Sequence, residues 1–182
     1  MREQSLKTLT LMRHAKSSWD DTVERDFDRP VNSRGRRASA RVGQWIAEQG
    51  FQFDHVCASP AVRVRQTLEG MQDGMGVVLK PLWDTRVYLS SSATLLLLVQ
   101  QFSDEKFDAM LVGHNPGCED LLLGLVPPGG ELRDAAEVKY PTATLARIEL
   151  DIERWADADD KLGRLTHFIR PRDLDATLGP DE

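Results

Sequence analysis

Along this chain, short runs of β character alternate with segments whose apolar residues recur at helical spacing, and that alternation limits the fold more than any other feature. Lys7–Arg13 reads KTLTLMR, with Leu9 and Leu11 set between Thr8, Thr10 and Met12, and predicts the first strand. Asn32 and Ser33 offer helix N-caps, and Ala38, Val42, Trp45 and Ile46 then repeat at i, i+4, i+7 and i+8, an amphipathic helix that stops at Gly50. Residues 53–58 predict a second, buried strand. Ser59 and Pro60 open a helix to about Gln72, with proline at its first position, where its missing N–H is not needed. Gly74 and Gly76 break the chain before a third apolar run at 77–79, and Ser90 to Ser92 can cap a leucine-rich helix over 94–102. Asp108–Gly113 predicts the fourth strand. Asn115, Pro116 and Gly117 turn the chain into a helix carrying Leu121, Leu122, Leu123 and Leu125, which ends at the Pro127 to Gly130 breaker. Two late strands, 143–150 and 164–168, follow as a hairpin or at a sheet edge.

Strands alternating with helices predict an α/β fold, a three-layer α/β/α sandwich on a mainly parallel central sheet. At 182 residues, with 41% hydrophobic and 29% charged residues, the chain fits one soluble domain, 1–182, that needs no metal or disulfide to support its core. The longest apolar run, 95–99, is far short of the roughly 20 residues a bilayer span requires. The first ten residues carry no apolar export signal, so a cytoplasmic protein is expected, with no membrane partner. Cys57 and Cys118 stand 61 positions apart without a CxxC or Cys/His cluster, which reads as two buried thiols rather than a metal site. A net charge of −6 argues against a nucleic-acid partner, because a phosphate backbone selects a basic surface. It leaves open a small anionic substrate held by a few converging arginines. Six arginines do fall between Arg25 and Arg41, while the stretch 151–160 is dominated by acids.

The functional signal is the placement of polar residues just after predicted strands: Arg13 and His14, Ser59 to Arg63, and His114 and Asn115. In a parallel sheet those strand ends lie along one edge, so residues far apart in sequence can meet in one crevice. Imidazole is nucleophilic near neutral pH, and its phosphoryl adduct is labile enough to hydrolyse. Guanidinium forks match phosphate oxygens and stay charged. Two histidines and two arginines together fit phosphoryl transfer.

At these same positions the sequence resembles the histidine phosphatase superfamily, which also includes phosphoglycerate mutases, and within it the small SixA-type phosphohistidine phosphatases. The resemblance rests on LMRHAKSSW at 11–19, DRPVNSRGRRA at 28–38, SPAVRVRQT at 59–67 and VGHNPG at 112–117, all in the family's order, and extends to YPTAT at 140–144. A lone RH pair would be a weak match; four ordered segments at strand ends and helix starts are specific. The resemblance implies a phosphoglycerate mutase-like fold, His14 as nucleophile, Arg13 and Arg63 as clamps on the phosphoryl oxygens, and His114 as the second histidine, donating hydrogen bonds to those oxygens.

The remaining candidates keep two readings each. Ser17 and Ser18 either hydrogen-bond phosphate or turn the chain, and Asn115 either binds the ligand or caps the following helix. Arg34 is either a charge on the pocket rim or a surface pairing, Lys16 a charge at the mouth or a solvated side chain, and Trp19 a pocket wall or a surface residue. Arg65, two positions beyond Arg63 on a helix, points elsewhere. His55 and His167 read as structural.

Release of an alkoxide normally needs a general acid, which many phosphomonoesterases of this superfamily supply as a glutamate after the third strand. Here that region, PLWDTRVYLSSS, holds no glutamate and only Asp84 as a possible acid. An imidazole leaving group, with a pKa of roughly 6.5, demands less of an acid, so the missing glutamate favours phosphohistidine as substrate. The expected activity is hydrolysis through a phosphohistidine on His14, acting on a phosphorylated protein, with no cofactor and no metal. The alternatives are a phosphomonoesterase acting on a small phosphate ester, a module that binds phosphoprotein without turnover, and, weakest, a mutase.

Overall fold

The computed structural model describes residues 6–19, 22–23 and 25–179. Residues 1–5, part of the start in which no export signal is expected, lie outside them. The elements run β1 (Lys7–Arg13), α1 (Ser33–Gln49), β2 (His55–Ala58), α2 (Val62–Met75), β3 (Leu82–Trp83), α3 (Ser92–Gln100), β4 (Asp108–Gly113), α4 (Gly117–Leu125), α5 (Glu131–Val138), β5 (Leu145–Leu150), β6 (Gly163–Ile169) and α6 (Pro171–Leu174). One six-stranded sheet has the order β3-β2-β4-β1-β5-β6. Neighbours from β3 to β1 pair in parallel, whereas β5 runs antiparallel to both β1 and β6. The sheet is therefore mainly parallel, with the two late strands forming the expected hairpin beside β1.

Alternation along the strands builds two cores. Leu9, Leu11, Ala109 and Leu111 face α3, α4 and α5, packing with Leu98, Leu122 and Trp155. Met12, Met110, Val112 and Val56 face α1 and α2, packing with Val42, Ile46, Val64 and Leu68. Both faces of the sheet are thus covered, which is why β1, β2 and β4 are buried along most of their length. The helix that follows β1 and the one that follows β4 lie on opposite faces. That split opens a crevice at the carboxyl ends of these two adjacent strands.

The local signals explain most boundaries. Asn32 caps α1, its side chain accepting from the Gly35 amide, and Gly50 closes the helix. Ser91 caps α3 by accepting from Thr94. Four expectations need correction. Pro60 stands outside α2, whose N-cap is Ala61. Gly74 does not break that helix; it lies inside it, where a Cβ would come within 2.0 Å of the Ala40 carbonyl oxygen, so its lack of a side chain lets α1 and α2 approach. No strand forms at 77–79: the Leu79 amide donates to the Gln72 side chain (2.7 Å), and the third strand is the short edge pair Leu82–Trp83. β5 begins at Leu145 rather than 143 because Ala143 takes a left-handed φ of 56°. Helices α5 and α6 had no counterpart in the sequence reading. Among the described residues no helix is long and apolar enough to cross a membrane.

Candidate active site

β1 and β4 are in register at their carboxyl ends, with Arg13 opposite Gly113, and the His14 amide continues the ladder to the Gly113 carbonyl at 3.0 Å. Ser59, just past β2, bonds the Val112 carbonyl in the same way. These main-chain bonds bring the three polar strand ends together. Arg13, His14, Arg63 and His114 line one cavity of about 260 Å³, with Lys16, Ser17, Trp19 and Asn115 also on its wall.

The imidazoles of His14 and His114 lie with centroids 5.3 Å apart and planes inclined by 54°. Their partners fix their tautomers. His14 Nδ1 is 2.7 Å from the Ala15 carbonyl oxygen, which only accepts, so Nδ1 carries the proton and Nε2 keeps its lone pair. His114 Nδ1 is 3.2 Å from Arg63 Nη2, which only donates, so this nitrogen accepts and Nε2–H faces the Ser59 hydroxyl at 2.8 Å. Burial drives the His14 pKa well below the ordinary histidine value, reinforced by His114, Arg63 and Arg13 and opposed by the bond to Ala15. His114 is lowered to about 3, chiefly by burial and then by Arg63, with Asp26 pulling the other way. Both rings are neutral at pH 7, the state in which the first can act as a nucleophile.

The frame around them is specific. Arg13 Nη1 and Asn115 Nδ2 donate to the same acceptor, the Tyr140 carbonyl, at 2.8 and 3.1 Å. Thr67 Oγ1 accepts from the Ala15 amide (2.8 Å) and donates to the Arg63 carbonyl (2.6 Å), tying the loop after β1 to α2. A Cβ on Gly35 would lie 2.4 Å from the Lys16 carbonyl oxygen, so the start of α1 can press against that loop only with glycine there. Arg63 is almost wholly buried; Nη1 donates to the Asp26 carbonyl (2.8 Å) and Nη2 to the Asp26 carboxylate (3.0 Å).

Ser17 is buried on the cavity wall, and its backbone bridges to Val31 in an extended pairing. Asn115 does not cap α4, whose N-cap is Pro116; it donates to Glu119 (2.9 Å), and its buried Oδ1 has no hydrogen-bond partner among the described residues. Trp19 is 76% exposed at the rim, with the Arg29 guanidinium stacked 3.6 Å from its ring. Arg34 lies outside the cavity, in an adjoining crevice that shares Lys16 and Thr142 with it, and donates to the Leu178 and Gly179 carbonyls. Arg65 points away, bonded to the Pro60 carbonyl and stacked on Trp83. His55 stacks on Phe102, and His167 packs between Trp45 and Phe51, both remote from the cavity.

The structure removes Asp84 as a candidate acid. It does not line the cavity; its carboxylate caps a 3-10 turn by accepting from the Arg86 amide and is gripped by the Arg86 side chain at 2.7 Å. That pairing lowers its pKa, the opposite of what an acid requires. The wall after β3 presents Leu89 instead. The residue that sequence reasoning missed is Asp26, the one carboxylate lining the cavity among the described residues. It stands two positions before the DRPVNSRG segment, and no periodicity or spacing marks it. Tyr88, which bonds the Asp26 carboxylate and packs edge-on to His114, carries no sequence signal either.

Comparison with known proteins agrees with this geometry. Residues 9–85 match the histidine phosphatase superfamily (branch 1). A protein assigned as phosphohistidine phosphatase SixA from Agrobacterium tumefaciens superposes with a TM-score of 0.76 at 30% identity, covering 91% of this chain and 98% of that one. A second such assignment, from Nakamurella multipartitia, gives 0.76 at 26% identity over 91% and 96%. The Mycobacterium tuberculosis protein MT1313 is 30% identical over 164 residues, which are 88% of this chain and all of its own length. The chain belongs to the histidine phosphatase superfamily and is of the SixA type, and these matches support phosphatase activity.

Proposed function

We propose that this chain hydrolyses phosphohistidine on a protein through a phosphohistidine formed on its own His14. The observation that carries the reading is the pairing of a neutral, Nδ1-anchored His14 with His114, Arg13 and Arg63 around one cavity on which the described residues place no proton-donating carboxyl. His14 Nε2 attacks phosphorus in line as the bond to the leaving nitrogen breaks, and a water molecule then cleaves the new N–P bond to release inorganic phosphate. Arg13 and Arg63 offset charge on the equatorial oxygens in both steps, and neutral His114 donates its Nε2–H to them in exchange for Ser59.

The leaving group decides between substrates. Asp26 is drawn down to about 2 against its own burial, by Tyr88, Arg63 and Arg29, so it is ionised at neutral pH and has no proton to give. Glu119, whose carboxyl is pushed up by burial, touches the cavity only through Asn115. With the described carboxyls alone an alkoxide would depart unassisted, whereas an imidazole near its own pKa of roughly 6.5 would not need the help. The SixA-type relatives favour the same substrate. A competition assay between a phosphohistidine-bearing protein and simple phosphate monoesters tests this. The reading requires preferential consumption of the phosphohistidine, and equal or faster turnover of the monoesters would overturn it.

A further inference from the structure

Asp26 is the hub of the polar network on the cavity wall. Its Oδ2 accepts from Arg63 Nη2 (3.0 Å) and from the Tyr88 hydroxyl (2.7 Å), its Oδ1 from Arg29 Nε (2.9 Å), and its main-chain carbonyl from Arg63 Nη1 (2.8 Å). Arg63 thus grips one residue with two of its nitrogens while Nη2 also meets His114 Nδ1 at 3.2 Å. Tyr88 adds a second contact, its ring edge-on to the His114 imidazole at 5.3 Å. Ordinary surface ion pairs contribute little, because both side chains remain solvated and mobile. This one differs in that the Arg63 side chain is only 2% exposed and Asp26 is held from three directions. Its value lies in where it fixes the guanidinium.

We infer that Asp26 is the positioning residue of the phosphoryl clamp, with Tyr88 as its buttress: it orients Arg63, and through Arg63 the His114 ring, toward the transferring phosphoryl group. The inference rests on the proposed reading only in taking the cavity as a phosphoryl site. Asp26 also places Arg29 on the same wall, so one carboxylate sets two of the cavity's cations.

The sign of one measurement separates positioning from charge. Removing a negative charge beside an anion site strengthens anion binding by electrostatics alone. Losing the orientation of a bidentate donor weakens it. Orthovanadate, a phosphoryl mimic, is titrated into wild type, Asp26→Asn, Tyr88→Phe, Arg63→Ala and the Asp26→Asn/Arg63→Ala double variant, with thermal melts alongside. Positioning chiefly through Arg63 predicts about fivefold or greater weakening in Asp26→Asn, a smaller loss in Tyr88→Phe, and a much reduced loss, that of Arg29 alone, when Asp26→Asn is added to Arg63→Ala. Asp26→Glu should recover part of the affinity. Binding as tight as wild type or tighter in Asp26→Asn overturns the inference, and so does an Asp26→Asn effect of equal size with and without Arg63. Should Asp26→Asn fail to fold, Tyr88→Phe carries the same cycle, since it removes a single oxygen from a half-buried side chain that supports Asp26. Vanadate affinity does not depend on the identity of the leaving group. A failure of the phosphohistidine reading would therefore appear in the competition assay and leave this cycle intact.

Discussion

Arg13 and Asn115 donate to one acceptor, the carbonyl oxygen of Tyr140, at 2.8 and 3.1 Å, although they come from the ends of two different strands. The shared oxygen joins the β1 and β4 ends to the loop that enters β5, so the clamp arginine is set by three segments at once. Such a guanidinium loses little freedom when it takes hold of an anion.

Arg13→Ala and Arg63→Ala should each remove on the order of 2 to 4 kcal/mol of transition-state stabilisation, a loss of about 30- to 1,000-fold in kcat/KM. Steady-state kinetics on a common phosphodonor checks this. Unchanged rates in both variants would remove the clamp from the account.

Acid should weaken the fold earlier than carboxylate titration alone would. His114 has a folded pKa of about 3 against roughly 6.5 in an unfolded chain, and His14 is shifted in the same direction. Between those values the unfolded chain takes up protons that the native rings refuse, so stability falls as pH drops from about 6.5 toward 3 and is fully present above that window. Asp26 acts lower: its contribution is present above the ordinary carboxylate value of 3.8 and is lost as the pH falls from there through about 2. Urea midpoints should hold level from pH 7.5 to about 6.5 and decline from there to pH 4, and His114→Gln should flatten that decline; a wild-type profile level down to pH 4.5 would contradict the assignment.

Asp84→Asn should leave turnover within about twofold of wild type, because its carboxylate is engaged by Arg86 outside the cavity. A tenfold loss, with the melting temperature unchanged, would restore it as the acid.

Thr67→Val keeps the shape of a buried side chain but strips the Ala15 amide of its acceptor. Leaving that N–H unpaired should cost about 1 to 3 kcal/mol, read as a shift in the urea midpoint. A shift near zero would show that the loop after β1 holds without this tie.

Much of the framework was legible in the chain itself. β1 and β4 were found residue for residue because their apolar runs are bounded by polar strand-end residues, and α1 because Asn32, its heptad-like apolar stripe and Gly50 all agree. His14, Arg13, Arg63 and His114 follow from position after those strands, and the structure does gather them. What escaped was set by contacts distant in sequence. Gly74 reads as a breaker until α1 is seen lying against it, and the edge strand β3 is too short and too exposed to show alternation. Asp84 was chosen as the nearest carboxyl along the chain, whereas the carboxylate at the site, Asp26, arrives from a loop whose place is decided by Arg63, 37 positions away.

The central claim is that His14 carries the phosphoryl group. Rapid-quench labelling with a radioactive phosphodonor tests it most directly. The account predicts a transient label that is acid-labile and base-stable, maps to His14, and is absent in a folded His14→Ala variant. Turnover with no such label in the wild type, or a label that persists in His14→Ala, would contradict it.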